Sequence, residues 1–205
     1  IVLYAGENEH FYHTSLGPIT AGGHSIQFKF DDAKSSTGAQ LITLEYIELT
    51  DIATIDVDTD ALTHSPILYG RDLLSWNEST HTDIPLIMWH DINMEGSNKR
   101  ITYSIIFSNE DSRIGVGLAD LMYSYGRTTD IEWMYEVLLS PGGDILNEIF
   151  QGASHITTDF EGNKIGRHPV LKNATLNCNF TDVGTSDYKF FLSPTFTADD
   201  SFTRQ

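Results

Sequence analysis

Cysteine is almost absent from this sequence, since Cys178 is the only one among 205 residues. A disulfide within the chain is therefore excluded, and so is a zinc site built from several cysteines. Cys178 has no recognisable nucleophile motif around it, and we expect it to be a small buried hydrophobic residue. Long apolar runs are absent too. None approaches the roughly 20 residues of a membrane-spanning helix, which predicts no transmembrane segment.

Positive charge is the second shortage. The chain has 12 Lys and Arg against 29 Asp and Glu, a formal net charge of −17 with histidine neutral. Such a surface repels the phosphates of nucleic acids and anionic membranes, so we expect no nucleic-acid partner. The same field favours cations, although acidity also serves simply to keep a secreted protein soluble. A nucleophile elbow, a phosphate-binding loop and a dinucleotide fingerprint are missing, which leaves those hydrolase and nucleotide mechanisms without support.

What is present indicates one β-rich domain over residues 1–205. Hydrophobic residues make up 40% of the chain and aromatic residues 11%, which is enough for a packed core. Alternating segments between Gly and Pro turns predict strands at 24–30, 40–49, 101–107, 131–139, 145–150, 170–176 and 188–192. The best helix candidate is Leu118–Tyr125, with Gly126 at the cap position. Together these elements predict a mainly β fold, an antiparallel β-sandwich with one or two short helices.

The strand 131–139 is the clearest, and a Ser-Pro-Gly-Gly-Asp turn at 140–144 predicts a hairpin with 145–150. Strict alternation places the odd-numbered residues on one face and the even-numbered residues on the other. We therefore expect Trp133 and Tyr135 to be buried, while Glu132 faces water or an ion.

Asp130 and Glu132 are the first candidate ligands of a cation. Residues two apart on a strand project from one face, where two carboxylates can share Ca²⁺ or Mg²⁺. The alternative is a solvated strand face with Arg127 as a local counter-ion. The segment Asn109-Glu110-Asp111, directly after a strand, is either a ligand loop or a turn stabilised by its own side chains.

A second acidic segment, Asp56-Val-Asp58-Thr-Asp60, is similar to the start of a calcium loop. The sixth position, where an EF-hand needs glycine, is Ala61, and the twelfth, where it needs glutamate, is Ile67. An EF-hand is therefore rejected, and a looser calcium-binding loop stays as an alternative.

Several histidines stand beside polar or turn-like residues, where a neutral imidazole suits metal ligation or proton transfer. They are His64, His81, His90, His155 and His168. No pair among them has the spacing of metal ligands on a helix. His155 is the strongest candidate for a catalytic residue, because it follows the strand that is predicted to pair with the acidic one.

Three acceptor sequons, at Asn77, Asn173 and Asn179, predict glycosylation if the chain passes through a eukaryotic secretory pathway. Two of them lie in one short segment. With the acidic composition, they favour an extracellular, secreted glycoprotein.

The order of motifs between Tyr103 and His155 resembles that of necrosis- and ethylene-inducing-like toxins, and that of plant proteins similar to vacuolar sorting protein 62. The residues are Tyr103-Ser-Ile-Ile-Phe107, Asn109-Glu-Asp111, Gly126-Arg-Thr-Thr-Asp130-Ile-Glu132 and Ser154-His155. The resemblance implies a β-sandwich that holds a divalent cation with Asp111, Asp130 and Glu132, and that recognises sphingolipid headgroup sugars. This sequence departs from the toxins where Arg127 replaces the metal-associated histidine, and it cannot form their disulfide. The resemblance therefore does not imply toxicity.

Three functions follow as hypotheses. The first is a secreted binding module, dependent on a divalent cation, for a glycan or a lipid headgroup, with Trp76 or Trp89 stacking on a sugar. The second is a structural extracellular domain without a small ligand. The third is an enzyme that cleaves glycans or esters, with His155 as general base and Glu132 or Asp130 as acid or metal ligand.

Overall fold

The computed structural model describes residues 22–26, 58–72, 83–109, 118–187, 189–190 and 196–197. The predicted strand 40–49 lies outside these residues, as do most residues of the predicted strands 24–30 and 188–192. The described elements are α1 (Thr59–Thr63), β1 (Ile67–Tyr69), β2 (Pro85–Glu95), β3 (Asn98–Phe107), α2 (Leu118–Tyr125), β4 (Asp130–Leu139), β5 (Ile145–Gln151), a 3-10 turn (Ala153–His155), β6 (Thr157–Asp159), β7 (Lys164–Ile165), β8 (His168–Asn173), β9 (Phe180–Thr181), β10 (Lys189–Phe190) and β11 (Phe196–Thr197).

These strands form two sheets. Six strands are arranged in the order β11-β2-β3-β4-β5-β6, and five others in the order β10-β1-β8-β7, with β9 also paired with β8. Residues from both sheets meet in one apolar core that includes Leu68 and Leu171 from one sheet and Tyr103 and Tyr135 from the other. Two sheets sharing one core is the arrangement of a β-sandwich. The predicted mainly β fold is confirmed. Two pairings, β1 with β8 and β11 with β2, are parallel.

Several local predictions are confirmed. Ile101, Tyr103, Ile105 and Phe107 alternate into the core from β3. Helix α2 has the predicted bounds. After it, Gly126 adopts a φ of 67° and its amide donates to the carbonyl of Met122, as a glycine cap does. The β4–β5 hairpin also forms. The predicted strand 170–176 is shorter than expected, because β8 ends at Asn173.

The expectation for β4 is wrong in its first half. Tyr103 of β3 pairs with Tyr135, but the next residue, Ser104, pairs with Trp133, so β4 has one extra residue here. This β-bulge reverses the alternation on its N-terminal side. Met134 and Tyr135 are both buried, Trp133 is only partly buried, and Glu132 turns inward with 4% of its surface exposed. The prediction of one domain over residues 1–205 stays a prediction.

Candidate functional site

The candidate site lies at the end of the six-stranded sheet where β4 begins and β5 ends. Asp130 is the first residue of β4 and pairs with Phe107, the last residue of β3. Gln151 is the last residue of β5, and the chain turns directly after it into the segment that contains His155. Two neighbouring antiparallel strands therefore place an acidic pair, an amide and an imidazole at one edge of the core.

Glu132, Gln151 and His155 form a connected group. The Gln151 amide nitrogen, Nε2, donates a hydrogen bond to Oε2 of Glu132 and lies 2.7 Å from Nδ1 of His155. His155 Nδ1 is itself 3.5 Å from Oε2 of Glu132. The carboxylate is buried, whereas 51% of the His155 side chain is exposed. The imidazole thus connects a buried carboxylate to solvent.

The turn that carries His155 has an unusual backbone. Ser154 and His155 have φ values of 59° and 60°, in the left-handed region that non-glycine residues rarely occupy. Gly152 begins the turn, and a Cβ there would approach the Thr158 hydroxyl to 2.7 Å. Such strained residues persist only where the surroundings hold them, and they are common at functional sites.

Buried oxygen atoms without hydrogen-bond partners lie on the segments that meet here. They are Oδ1 of Asn109, Oδ2 of Asp130 and Oε1 of Gln151. Buried polar atoms are nearly always paired, so three acceptors on adjoining strand ends are suited to accept hydrogen bonds from a ligand or to contact a cation. The site is therefore rich in acceptors.

Cys178 borders this group as the predicted buried thiol. Its sulfur lies 3.7 Å from the carbonyl oxygen of Asn109 and also faces the carboxylate of Asp130. Burial raises the pKa of Cys178, and the nearby Asp130 carboxylate raises it further, so the thiol stays protonated. Burial also raises the pKa of Asp130, against the opposing effects of the thiol, the Ile131 amide and Arg127.

Arg127, the predicted counter-ion, makes its contacts close by in the chain. Its guanidinium donates to the carbonyl of Thr129, and its central carbon lies 5.7 Å from the centre of the exposed Tyr125 ring. It lowers the pKa of Asp130 only as one of several weaker influences. The acidic pair therefore depends more on amide and thiol donors than on Arg127.

The predicted cation ligands are brought together only in part. Asp130 and Glu132 lie on the same inward side of β4, and Asp111 lies outside the described residues. Within the described ranges, no three His, Cys, Asp or Glu side chains are arranged to hold a metal ion. The three-carboxylate set with Asp111 stays a prediction.

The second acidic segment has a structural role in its described part. Asp58 is the N-cap of α1, and its Oδ1 accepts hydrogen bonds from the amides of Asp60 and Ala61 at 2.9 and 3.2 Å. Lys99 bonds Asp58 at 2.9 Å and Asp60 at 2.6 Å. A lysine thus takes the place that a calcium ion would need between these two carboxylates.

The other candidate histidines lie elsewhere. His64 follows α1 and is buried with both ring nitrogens unpaired, and burial lowers its pKa. His90 is buried in β2. At the start of β8, His168 has its Nδ1 2.9 Å from the carbonyl oxygen of Ser65. His81 and Trp76 lie outside the described residues, and Trp89 is partly buried.

Two of the three sequon asparagines are in the interior. Asn173 and Asn179 are each 1% exposed, and Asn77 lies outside the described residues. Asn173 donates to Asp83, while Asn179 is next to His155. A glycan on either side chain would require the fold to open around it. Glycosylation stays a prediction, for which mass spectrometry of the protein expressed through a eukaryotic secretory pathway is the measurement.

Sequence reasoning missed three amide side chains that surround His155. Gln151 only follows the predicted strand 145–150 in the sequence, and Asn179 stands out only for its sequon. Asn177, whose Nδ2 lies 3.0 Å from His155 Nε2, has no signal in the sequence. Amides carry no motif of their own, so only the pairing of β4 with β5 and the β8–β9 turn could identify them.

A second buried polar cluster lies where β1 and β8 end, beside the start of β2. The Arg71 guanidinium forms two hydrogen bonds with the Asp83 carboxylate, at 3.2 and 3.3 Å, and Asn173 donates to the same carboxylate at 2.8 Å. Lys172 pairs with Asp72 at the mouth of an adjoining cavity of about 220 Å³. We call the three buried residues Arg71, Asp83 and Asn173 the Arg71–Asp83 cluster.

Comparison with known proteins gives a distant structural likeness. No protein-family model and no curated protein matches the sequence. Among solved structures, NLPPya in complex with mannosamine is 11% identical, with 65% of this chain and 70% of that chain covered and a TM-score of 0.44. Necrosis and ethylene inducing protein 2, from the causal agent of cocoa's witches' broom disease, is 12% identical over 68% of this chain and 77% of that chain, with a TM-score of 0.42. The second of these structures is a necrosis- and ethylene-inducing protein, the kind that the order of motifs between Tyr103 and His155 resembles.

The described residues contain no helix that is both long and apolar enough to cross a membrane.

Proposed function

We propose that this protein is an extracellular binding module for a neutral glycan or a glycan headgroup of a lipid, held at the Glu132–Gln151–His155 site. The observation that carries the proposal is the set of buried, unpaired acceptors beside a half-exposed imidazole. A ligand for such a site must bring hydrogen-bond donors. It must also avoid negative charge, because the site contains two carboxylates in a chain of net charge −17.

Sugar hydroxyls meet both requirements. Each hydroxyl donates one hydrogen bond and accepts others, so it can pair with the surplus oxygens and with an imidazole N–H. Burying such a group against an unpaired acceptor recovers hydrogen bonding that the free site lacks. A phosphate or carboxylate ligand would add repulsion and more acceptors, and is disfavoured on both counts.

We further propose that Ca²⁺ or Mg²⁺ takes part in binding, held by Asp130 and Glu132 with Asp111. The fit rests on the unpaired, buried Oδ2 of Asp130 and on the all-oxygen set of nearby acceptors, because hard cations prefer oxygen ligands. A bound ion would neutralise the carboxylates and accept sugar oxygens as ligands.

The binding test is an array of neutral and sialylated glycans, probed with calcium and then with chelator, followed by calorimetry on the best ligand. Glu132→Gln keeps an acceptor for Gln151 but removes the charge, and we expect it to weaken binding about 10- to 100-fold. Glu161→Gln makes the same charge change at an exposed side chain and serves as the control. No binding by the folded protein in either condition would leave the structural domain as the better hypothesis.

The cation test is a thermal melt in millimolar calcium, magnesium or manganese against chelator. An ion at a hundredfold excess over its dissociation constant stabilises the fold by about 2.7 kcal/mol. Equal melting temperatures in all four conditions would exclude the cation while leaving glycan binding to be judged by the array.

The enzyme hypothesis keeps one supporting observation, the half-exposed His155 imidazole, whose Nδ1 lies 3.5 Å from Oε2 of the buried Glu132 carboxylate. An imidazole open to solvent also suits proton transfer to or from a substrate. Product release from glycan or ester substrates, lost in His155→Ala, would support it, and binding without turnover would favour the module.

A further inference from the structure

We propose that Asn179 is the positioning residue of the site: it holds the strained turn at Ser154 and orients the ring of His155, so that the imidazole presents its Nε2–H outward. The consequence for ligand binding rests on the proposed function, whereas the orientation of the ring does not.

Asn179 makes hydrogen bonds with both its backbone and its side chain. Its amide donates to the Thr175 hydroxyl at 3.0 Å, and its carbonyl accepts from the Ala174 amide at 2.8 Å. Its side-chain Oδ1 accepts from the Ser154 amide at 3.1 Å, and its Nδ2 lies 3.3 Å from Nδ1 of His155. With 1% of its surface exposed, this one side chain joins the turn before β9 to the turn after β5.

The turn needs such a bond. Two consecutive left-handed residues without glycine, Ser154 and His155, are disfavoured unless the surroundings hold them. The Ser154 amide points at Asn179 Oδ1, and that bond holds the first of the two residues. Because His155 follows directly, the position of its ring depends on the same contact.

The hydrogen bonds also select a tautomer. Gln151 must present its amide nitrogen to Glu132, since its oxygen would face the carboxylate oxygen. The remaining N–H of that amide, and Nδ2 of Asn179, both point to His155 Nδ1. Two donors require Nδ1 to be the acceptor, so the proton of the neutral ring lies on Nε2. This tautomer requires the Asn177 amide to be rotated by half a turn, so that its oxygen takes the place of the Nδ2 that lies 3.0 Å from Nε2 and accepts from the ring.

The Nε2–H group of His155 is then a donor on the exposed side of the site, while the interior side of the site is rich in acceptors. A sugar hydroxyl could replace Asn177 as the acceptor of Nε2–H. Asn179 therefore determines whether the site offers a donor or an acceptor at this position.

Asn173 supplies a matched control. It is an asparagine in the same β8–β9 hairpin, equally buried, but its amide donates to Asp83 and makes no described contact with His155. Asn173→Ala and Asn179→Ala remove the same atoms at the same depth, so a general loosening of the hairpin would affect His155 equally in both.

The experiment is a nitrogen-15 NMR measurement of the His155 ring in the ligand-free protein, with the signal assigned by a His155→Gln variant. We expect the wild type and Asn173→Ala to show the Nε2–H form. Asn179→Ala should lose the dominance of that form. Asn179→Asp, which keeps the acceptor for the Ser154 amide but replaces the donor to His155, should increase the share of ring protonated on Nδ1.

Unchanged His155 signals in both Asn179 variants would overturn the proposal, and so would equal changes in Asn173→Ala. If Asn179→Ala does not fold, Asn179→Asp decides alone, because it preserves side-chain size. Since no ligand is used, failure of glycan binding would leave this result standing, and the reverse also holds.

Discussion

Two buried polar clusters, one where β1 and β8 end and one where β4 begins and β5 ends, each contain a carboxylate and an amide but differ in charge balance. In the Arg71–Asp83 cluster, a buried carboxylate has a guanidinium in two-point contact and an asparagine as a further donor. In the Glu132 site, the carboxylates contact an amide, a thiol and an imidazole, and three nearby acceptors have no partner. The difference teaches that a buried carboxylate paired with a guanidinium contributes to the stability of the fold, whereas a cluster of unpaired acceptors is suited to a ligand.

The largest expected effect is in the Arg71–Asp83 cluster. Asp83→Asn removes the charge that compensates Arg71, and both side chains are almost fully buried. Leaving one charge buried without its partner costs about 3–5 kcal/mol of unfolding free energy, measured by urea denaturation. Asp72→Asn breaks the exposed pair with Lys172 and should cost at most about 1 kcal/mol. Similar losses in both variants would contradict the conclusion that the buried Asp83–Arg71 pair stabilises the fold more than the exposed Asp72–Lys172 pair does.

The second largest expected effect is that of substitutions in β4, which test the β-bulge that turns Glu132 inward. Met134 is fully buried, so Met134→Ala should cost about 2–5 kcal/mol in the same measurement. Trp133 is only partly buried, and Trp133→Ala should cost less in spite of the larger side chain that is removed. The opposite order would mean that β4 keeps strict alternation and that Glu132 faces outward.

The smallest expected effect, that of Asp130→Asn, is a gain in the free energy of unfolding and not a loss. Because burial raises the pKa of Asp130, its folded carboxyl binds a proton more tightly than the unfolded one. Ionisation therefore removes stability as pH rises from the unfolded value, about 3.9, through the folded pKa. Asp130→Asn should stabilise the protein at neutral pH in chelator, and this gain should vanish in acid below about pH 3.9. If Asp130→Asn destabilises the protein in chelator at pH 7, Asp130 has a structural role like that of Asp83.

Much of the fold could be read from residue patterns. The alternation of Ile101, Tyr103, Ile105 and Phe107, the bounds of α2 and the β4–β5 hairpin follow from local periodicity and turn chemistry. The predicted pairing of β4 with β5 also brings His155 to 3.5 Å from Glu132, and the functional roles of these residues stay predictions. The burial of Glu132 and the partial exposure of Trp133 could not be predicted, because one inserted residue reverses the faces without leaving a signature in the sequence.

The sequence by itself determined that the protein is acidic, mainly β and without an internal disulfide. The net charge, the single cysteine and the period-2 segments depend only on composition and local spacing. The tertiary structure alone decided which polar groups are paired. Asn173 and Asn179 belong to identical sequon types, yet one donates a hydrogen bond to Asp83 and the other contacts His155. Hydrogen bonding and desolvation depend on contacts across 20 to 100 residues of sequence, such as Asn179 with Ser154 at a separation of 25 and Asn173 with Asp83 at 90. Only the packing of the two sheets creates those contacts.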